Sequence, residues 1–87
     1  MVIERFRDRD AKAAYRRLRE RGRGAPDGLH YLGSWVAADL ERCFQLMECD
    51  DMRLLQQWVA FWNDLVEFEI VPVVPSTETQ QIIEPLL

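Results

Sequence analysis

The stretch Arg42-Cys43-Phe44-Gln45-Leu46-Met47-Glu48-Cys49 decides how this chain folds. It is short, apolar and β-prone, and its polar residues stand singly between hydrophobic ones, a pattern typical of a strand. A turn-like segment at residues 37–41 precedes it, and Asp50-Asp51, a helix-start signal, follows it. The other segments are therefore expected to pair with this strand or to cover it.

Hydrophobic periodicity predicts three more strands and two helices. Asp8 or Asp10 is the expected N-cap of the first helix and Asp51 that of the second. Gly33 suggests either a bulge in the second strand or a close approach by another group. The order βαββαβ, two split βαβ units, predicts an α+β ferredoxin-like sandwich with antiparallel sheet order 4-1-3-2. The expected strands are residues 1–6, 29–36, 42–49 and 66–71, and the expected helices are 10–21 and 52–65.

The hairpin of the second and third strands determines which side chains share a face of the sheet. A four-residue loop places Trp35 opposite Phe44 and His30 opposite Cys49, and a slip of one residue would scramble the two faces. The helix-covered face is expected to hold Ile3, Tyr31, Trp35, Phe44, Leu46, Phe68 and Ile70. The open face is expected to hold Val2, Phe6, Leu32, Val36, Cys43, Met47, Val71 and Val73, mixed with Glu4, Ser34, Gln45, Glu67 and Glu69.

Charge is distributed unevenly over the 87 residues, whose formal net charge is −4. Residues 1–23 contain nine Lys/Arg and four Asp/Glu, whereas residues 39–87 contain two Arg and ten Asp/Glu. This asymmetry favours charge complementarity within the chain or between subunits. The acidic total argues against nucleic-acid binding. A remote alternative is binding through Arg16, Arg17, Arg19, Arg21 and Arg23.

Membrane, metal and cofactor sites are not expected from this sequence. No run approaches the roughly 18 apolar residues of a membrane span. Charged residues begin at Glu4, so no signal peptide is recognised, and a cytoplasmic location is expected. Cys43 and Cys49 would be about 20 Å apart on an intact strand, too far for a disulfide, and are expected to be buried thiols. The chain has one histidine and no glycine-rich phosphate-binding motif.

Two sets of residues are candidates for a site. His30 could act as a general base with Cys49 opposite it, the alternative being a structural histidine near a loop. A small-molecule pocket between the sheet and the second helix is the other hypothesis, the alternative being that its tryptophans are core. Its candidate lining residues are Arg5, Tyr31, Trp35, Glu48, Trp58 and Trp62.

Several segments together resemble a small bacterial family catalogued as a domain of unknown function and placed with the dimeric α/β-barrel proteins. They are Glu4–Arg7, Tyr15–Arg17, Arg19–Gly22, Ser34–Val36, Arg42–Glu48 and Glu67–Val73. The resemblance implies the fold and a dimer, but no catalytic residue. Wider relatives of the fold include cofactor-free monooxygenases, haem-degrading enzymes, muconolactone isomerase-like enzymes and stress-response barrels, and fold kinship does not choose among them.

These observations predict a ferredoxin-like domain at residues 1–74 and a tail at 75–87 that forms a short helix on a partner subunit. The expected function is a homodimer that binds a small, partly hydrophobic ligand, as a cofactor-independent monooxygenase- or isomerase-like enzyme. The alternative is a non-enzymatic structural or regulatory interaction module. An open sheet face in so small a protein is the reason to expect two copies.

Overall fold

The computed structural model describes residues 1–87. Its four strands form one antiparallel sheet, and the first two helices pack on one face of it. The strands are β1 (Val2–Phe6), β2 (His30–Val36), β3 (Arg42–Glu48) and β4 (Val66–Ile70), and the helices are α1 (Ala11–Arg21), α2 (Met52–Trp62) and α3 (Ser76–Ile83). The sheet order β2-β3-β1-β4 is the predicted order read from the other edge, so the α+β ferredoxin-like topology is confirmed.

The two helices that cover the sheet begin at aspartate caps. The Asp10 carboxylate accepts a hydrogen bond from the Ala13 N–H at 3.1 Å, and the Asp51 carboxylate accepts one from the Arg53 N–H at 2.9 Å. Each cap satisfies a backbone donor that has no partner inside the helix. Helix α2 ends at Trp62 and not at Leu65 as expected, because the chain makes a tight turn there to enter β4.

The β2–β3 hairpin contains the predicted irregularity. Trp35 lies opposite Phe44, as expected, but the register shifts between Tyr31 and Gly33. Leu32 is the extra residue of the bulge, so His30 lies opposite Glu48. The predicted pairing of His30 with Cys49 is therefore wrong, because an unpaired residue displaces the rest of the strand by one position.

The two faces of β1, of β3 and of β2 after its bulge are the reverse of the prediction, whereas those of β4 are as predicted. Val2 and Glu4 of β1 lie directly opposite Ile70 and Phe68 of β4, and residues paired in this way share a face. The prediction had placed Ile3 with Phe68 and Ile70, although Ile3 is opposite Glu69. We call the two sides the covered face and the open face. The covered face holds Val2, Glu4, Phe6, Ser34, Val36, Cys43, Gln45, Val66, Phe68 and Ile70, and the open face holds Ile3, Arg5, Trp35, Phe44, Leu46, Glu67 and Glu69.

The core lies between the covered face and the helices. Trp58 is only 2% exposed and meets Phe68 edge-on, with ring centroids 5.4 Å apart. Leu55 and Trp62 lie on the same side of α2, while α1 contributes only the small residues Ala11 and Ala14 to the core. The wide apolar surface of α2 therefore supplies most of the helical contribution to packing.

The uneven charge distribution produces ion pairs within the chain. Three of the four salt bridges join the basic N-terminal segment to the acidic remainder. The strongest contact is bidentate, with Arg17 donating to both carboxylate oxygens of Asp64 at 2.7 and 2.6 Å. This pair connects α1 to the end of α2, so the expectation of charge complementarity within the chain is confirmed. The other two pairs are Arg7–Glu67 and Arg9–Glu41.

The C-terminal segment after β4 lies at the surface. The ammonium group of Met1 donates to the Val71 carbonyl at 2.7 Å, and every residue from 72 to 87 is exposed. Helix α3 is present in this segment, and its apolar side chains face solvent: Ile82 is 66% exposed. None of the helices combines the length and apolar character that crossing a bilayer requires.

Candidate functional site

A cavity of about 150 Å³ lies between the covered face and the helices α1 and α2. Most of its wall is apolar, with the indoles of Trp58 and Trp62 on one side. Tyr15 of α1 is 49% exposed, so the cavity reaches the surface beside it. The polar residues of the lining are Glu4, Arg23, Ser34, Cys43 and Gln45, and we call this cavity the Glu4 pocket.

Glu4 is the unusual residue of the pocket. It stands between Val2 and Phe6 on β1, is 8% exposed, and its Oε1 has no hydrogen-bond partner. Removal of the carboxyl from water raises the pKa of Glu4 from 4.5 to about 7, although the positive charge of Arg23 offsets part of this effect. The carboxyl can therefore gain or lose a proton near neutral pH.

Arg23 is positioned by the backbone of the loop that follows α1. Its carbonyl accepts hydrogen bonds from Trp58 Nε1 at 3.0 Å and from Trp62 Nε1 at 2.8 Å. Gly24 adopts φ +73°, and a Cβ there would lie 2.6 Å from the Phe61 ring, so only glycine lets the loop approach α2 this closely. The loop is therefore fixed at the Arg23 carbonyl and at Gly24. This also fixes the position from which the Arg23 side chain extends.

The Arg23 guanidinium remains largely without protein acceptors. Its central carbon lies 3.6 Å from the ring centroid of Tyr31, a stacked arrangement, and its Nη1 is 3.5 Å from Gln45 Oε1. A hydrogen bond of that length is weak, and Arg23 takes part in no salt bridge. Most of its five N–H donors are thus available to another molecule.

Gln45 and Cys43 of β3 complete the polar floor. Gln45 is 4% exposed, and its Nε2 donates only to the thioether sulfur of Met47, at 3.2 Å, a weak acceptor. Burial, and to a smaller extent the negative charge of the nearby Glu4, raises the pKa of the Cys43 thiol to about 11. Cys43 therefore remains a thiol at neutral pH and is a poor nucleophile. Acid–base chemistry in this pocket therefore depends on Glu4.

The residues proposed from sequence for a pocket are divided by the fold. Trp58 and Trp62 line the Glu4 pocket, and Tyr31 adjoins it through its stacking on Arg23. Arg5 and Trp35 lie outside it on the open face, because the face assignment was reversed. Glu48 is exposed at the end of β3 and is also outside the pocket.

The second predicted site, His30 with Cys49, is not assembled. His30 is exposed at the start of β2 and faces Glu48 across the hairpin. Cys49 follows the end of β3 and packs at the edge of the core. The bulge at Leu32 is the reason that the two do not meet. No group of three or more His, Cys, Asp or Glu side chains is placed to hold a metal ion.

Sequence reasoning missed Glu4, Gln45 and Arg23 as site residues. It did place Glu4, Cys43 and Gln45 on one face, but expected that face to be left open by the helices and to meet a second copy of the chain. The available signal was the alternation of Val2, Glu4 and Phe6, in which a carboxylate interrupts an apolar row. Such a carboxylate on a buried face has either a partner or a function.

Comparison with known proteins gives a single finding. No curated protein and no solved structure gives a significant match to the chain. The family model DUF3303, described as a domain of unknown function, matches residues 1–87. The match covers the entire sheet, both covering helices and the Glu4 pocket, and the chain accordingly belongs to the DUF3303 family.

Proposed function

We propose that this protein binds one small, partly apolar molecule in the Glu4 pocket. The observation that carries the proposal is the unpaired Oε1 of Glu4 in a cavity with aromatic walls. Leaving a buried polar atom without a partner costs about 1–3 kcal/mol, so the arrangement is unfavourable for folding alone. A ligand that offers a hydrogen bond to Glu4 and an apolar body to Trp58 and Trp62 would satisfy both.

Within this proposal, Glu4 is the acid–base group of a cofactor-independent enzyme. A general acid or base works best with a pKa near the working pH, and burial brings the pKa of Glu4 to about 7. The carboxylate accepts a proton from one atom of the bound molecule, and the resulting carboxylic acid returns it to another. Of the two enzyme classes expected from the fold, this chemistry favours an isomerase-like proton transfer.

A ligand screen by thermal shift tests the proposal, with Trp58 and Trp62 as fluorescent reporters inside the pocket. A ligand at about 100 times its dissociation constant stabilises the fold by about 2.7 kcal/mol. At pH 6, where most Glu4 carboxyls are protonated and can donate a hydrogen bond, small cyclic acids, amides and phenols should produce hits that weaken in Glu4→Leu. The variant Trp35→Phe, changed on the open face, should retain them. Two results would contradict the proposal: no compound stabilises wild type, or the same compounds stabilise the Glu4→Leu variant as much as wild type.

We further propose that two chains pack through their open faces as a homodimer. Ile3, Phe44 and Leu46 lie in the middle of this face, and Trp35 remains 59% exposed in the single chain. Positive and negative side chains lie on different sides of the open face. Arg5 and Arg42 are opposite each other on the adjacent strands β1 and β3. Glu67 and Glu69 lie on β4. A two-fold axis would set the β3 side of one copy against the β4 side of the other, so that opposite charges meet.

The measured mass in solution tests the dimer. Light scattering at micromolar concentration should give twice the 10.3 kDa chain mass. Phe44→Glu puts a charge in the middle of the open face and should give a folded monomer. Gln56→Glu adds the same charge on an exposed position of α2 and should leave the dimer intact. A wild-type chain that stays monomeric throughout that range would contradict this proposal.

An interaction module without catalysis is the second candidate function. The exposed apolar residues of the C-terminal segment support it, because Ile83 is 44%, Leu86 76% and Leu87 91% exposed. In this case the segment of residues 75–87 lies on the partner subunit and stabilises the assembly. Removing these residues should then weaken the dimer without affecting the Glu4 pocket. A truncated chain with unchanged self-association would remove the support for this candidate.

A further inference from the structure

Arg23 is the only cationic residue of the Glu4 pocket, and it has no counter-ion. Its loop is fixed by the two indole hydrogen bonds to its carbonyl, and its guanidinium carbon lies over the Tyr31 ring, 3.6 Å from the ring centroid. A guanidinium that is oriented in advance and lacks a protein acceptor is suited to a planar anion, above all a carboxylate. The Arg23 carbonyl satisfies two buried indole N–H groups, whereas the guanidinium makes only one weak hydrogen bond, to Gln45 Oε1 at 3.5 Å.

Glu4 does not supply the missing counter-ion. The two groups are close enough for the positive charge of Arg23 to act on the Glu4 carboxyl, yet no contact of 4.0 Å or less joins them. The pocket therefore presents a cation and an unpaired carboxyl with space between them. A molecule that occupies this space can place an anionic group on Arg23 and a different polar or acidic atom against Glu4.

We propose that the ligand class of the Glu4 pocket is a small cyclic carboxylic acid, bound with its carboxylate on Arg23 and its ring between Arg23 and Glu4. This inference rests on the proposed function and names its ligand. Arg23 would be the residue that determines specificity for the acid over neutral molecules of the same shape.

The dimensions of the pocket agree with one ring. A protein cavity of about 150 Å³ is known to accommodate benzene, and this cavity has the same volume. Aromatic side chains line it, and flat rings pack well against such walls. Benzoate is therefore a suitable probe, and benzamide, which has the same shape without the charge, is its matched neutral partner.

Glu4 should make the binding of an acid depend on pH. The titratable groups around the space are Glu4 on β1, Tyr15 on α1, Arg23 in the loop, Tyr31 on β2 and Cys43 on β3, while α2 and β4 contribute Trp58, Trp62 and Val66. Burial raises the pKa values of Tyr15 and Cys43. Glu4 is thus the group whose charge changes near pH 7, and its anion repels a bound carboxylate. Acid binding should weaken above pH 7, and amide binding should not.

The experiment measures the dissociation constants of benzoate and of benzamide for wild type and for Arg23→Gln. Calorimetry and tryptophan fluorescence monitor each titration, at pH 6 and at pH 8. Charged hydrogen bonds of this kind correspond to a factor of about 10 to 100 in affinity. Wild type should prefer benzoate by that factor at pH 6, and Arg23→Gln should lose the preference while still binding benzamide. Arg19→Gln, which removes an exposed charge of α1 outside the pocket, should behave as wild type.

The outcomes separate this inference from the proposed function. Benzamide bound as tightly as benzoate, or benzoate binding unaffected in Arg23→Gln, overturns the acid preference and leaves a ligand pocket. No binding of either molecule, in a protein folded by circular dichroism, overturns both. Because the Arg23 carbonyl keeps its indole partners in any side-chain variant, Arg23→Gln should fold. Arg23→Lys is the second variant: it keeps the charge without the planar fork and should show an intermediate preference.

Discussion

Each of the two faces of this small sheet holds a few residues that depart from the usual rule, and they do so in opposite ways. The covered face, which the helices largely shield from water, holds Glu4 and Gln45, whose polar atoms are poorly satisfied. The open face holds Ile3, Phe44 and Trp35 next to solvent. Folding alone would favour the opposite distribution. This difference is the reason for the two proposals made above, a small molecule bound on the covered side and a second chain on the open face.

The largest effect should come from comparing a tryptophan on each face. Trp58→Ala removes a side chain that is 2% exposed, packs on Phe68 and donates to the Arg23 carbonyl, and should cost about 3–5 kcal/mol. Trp35→Ala removes one that is 59% exposed and should change the unfolding free energy of the monomer by less than about 1 kcal/mol. Urea denaturation at low protein concentration measures both. Equal losses would contradict the assignment of the faces.

The next largest effect should come from comparing the pH dependence of stability for a carboxylate on each face, Glu4 on the covered face and Glu69 on the open face. Burial raises the pKa of Glu4 from 4.5 to about 7, so the folded state holds its proton more tightly than the unfolded state does. Stability from this group is complete below pH 4.5 and is lost as the pH rises to about 7. A tenfold change in proton affinity is about 1.4 kcal/mol, so the loss between pH 5 and pH 8 is about 2–3 kcal/mol.

Glu4→Gln should therefore be more stable than wild type at pH 8, with the gain disappearing toward pH 5. Glu69→Gln, at an exposed position on the open face, should follow wild type throughout when the protein is dilute enough to be monomeric. Denaturant melts of the three proteins at several pH values measure this. A Glu4→Gln effect that is the same at every pH would show that the carboxyl is not held as described.

Three glycines provide a smaller and finer contrast. Gly24→Ala combines φ +73° with a Cβ 2.6 Å from the Phe61 ring, and should cost about 1–3 kcal/mol. Gly22→Ala has φ +72°, ψ −165° and an open environment, so it isolates the cost of a backbone conformation that essentially only glycine adopts, about 1–2 kcal/mol. Gly33→Ala on β2 makes only ordinary contacts with Trp35 and should change stability least. Thermal melts rank the three, and any other order would contradict the described packing of the loop.

The fold could be predicted from sequence because its signals are local. Alternation marked β4, Asp10 and Asp51 marked the helix starts, and the order of elements fixed the sheet. The choice of covered face could not be settled in this way, because β3 has hydrophobic residues on both sides. Only the pairing of β1 with β4 decides it, by placing Glu4 opposite Phe68, and that contact joins distant parts of the chain.

The site was less accessible to sequence reasoning than the fold. Trp58 and Trp62 were named correctly as residues between the sheet and α2, because aromatic residues at helical spacing predict that position. Arg23 was grouped with the arginines of the first helix only as a remote nucleic-acid site, and nothing local shows that its carbonyl meets two indoles. A bulge of one residue was enough to separate His30 from Cys49.

A direct titration of the Glu4 carboxyl tests the central claim, that the covered face holds an unpaired acid ready for a ligand. Carbon-13 NMR of side-chain carboxyl groups, with Glu4→Gln used to assign the signal, gives the midpoint in the free protein. The structure predicts a midpoint of about 7, caused by burial without a hydrogen-bond partner. A midpoint near 4.5 would contradict the account, because the carboxyl would then be solvated or paired, and the pocket would have no unsatisfied group for a ligand to meet.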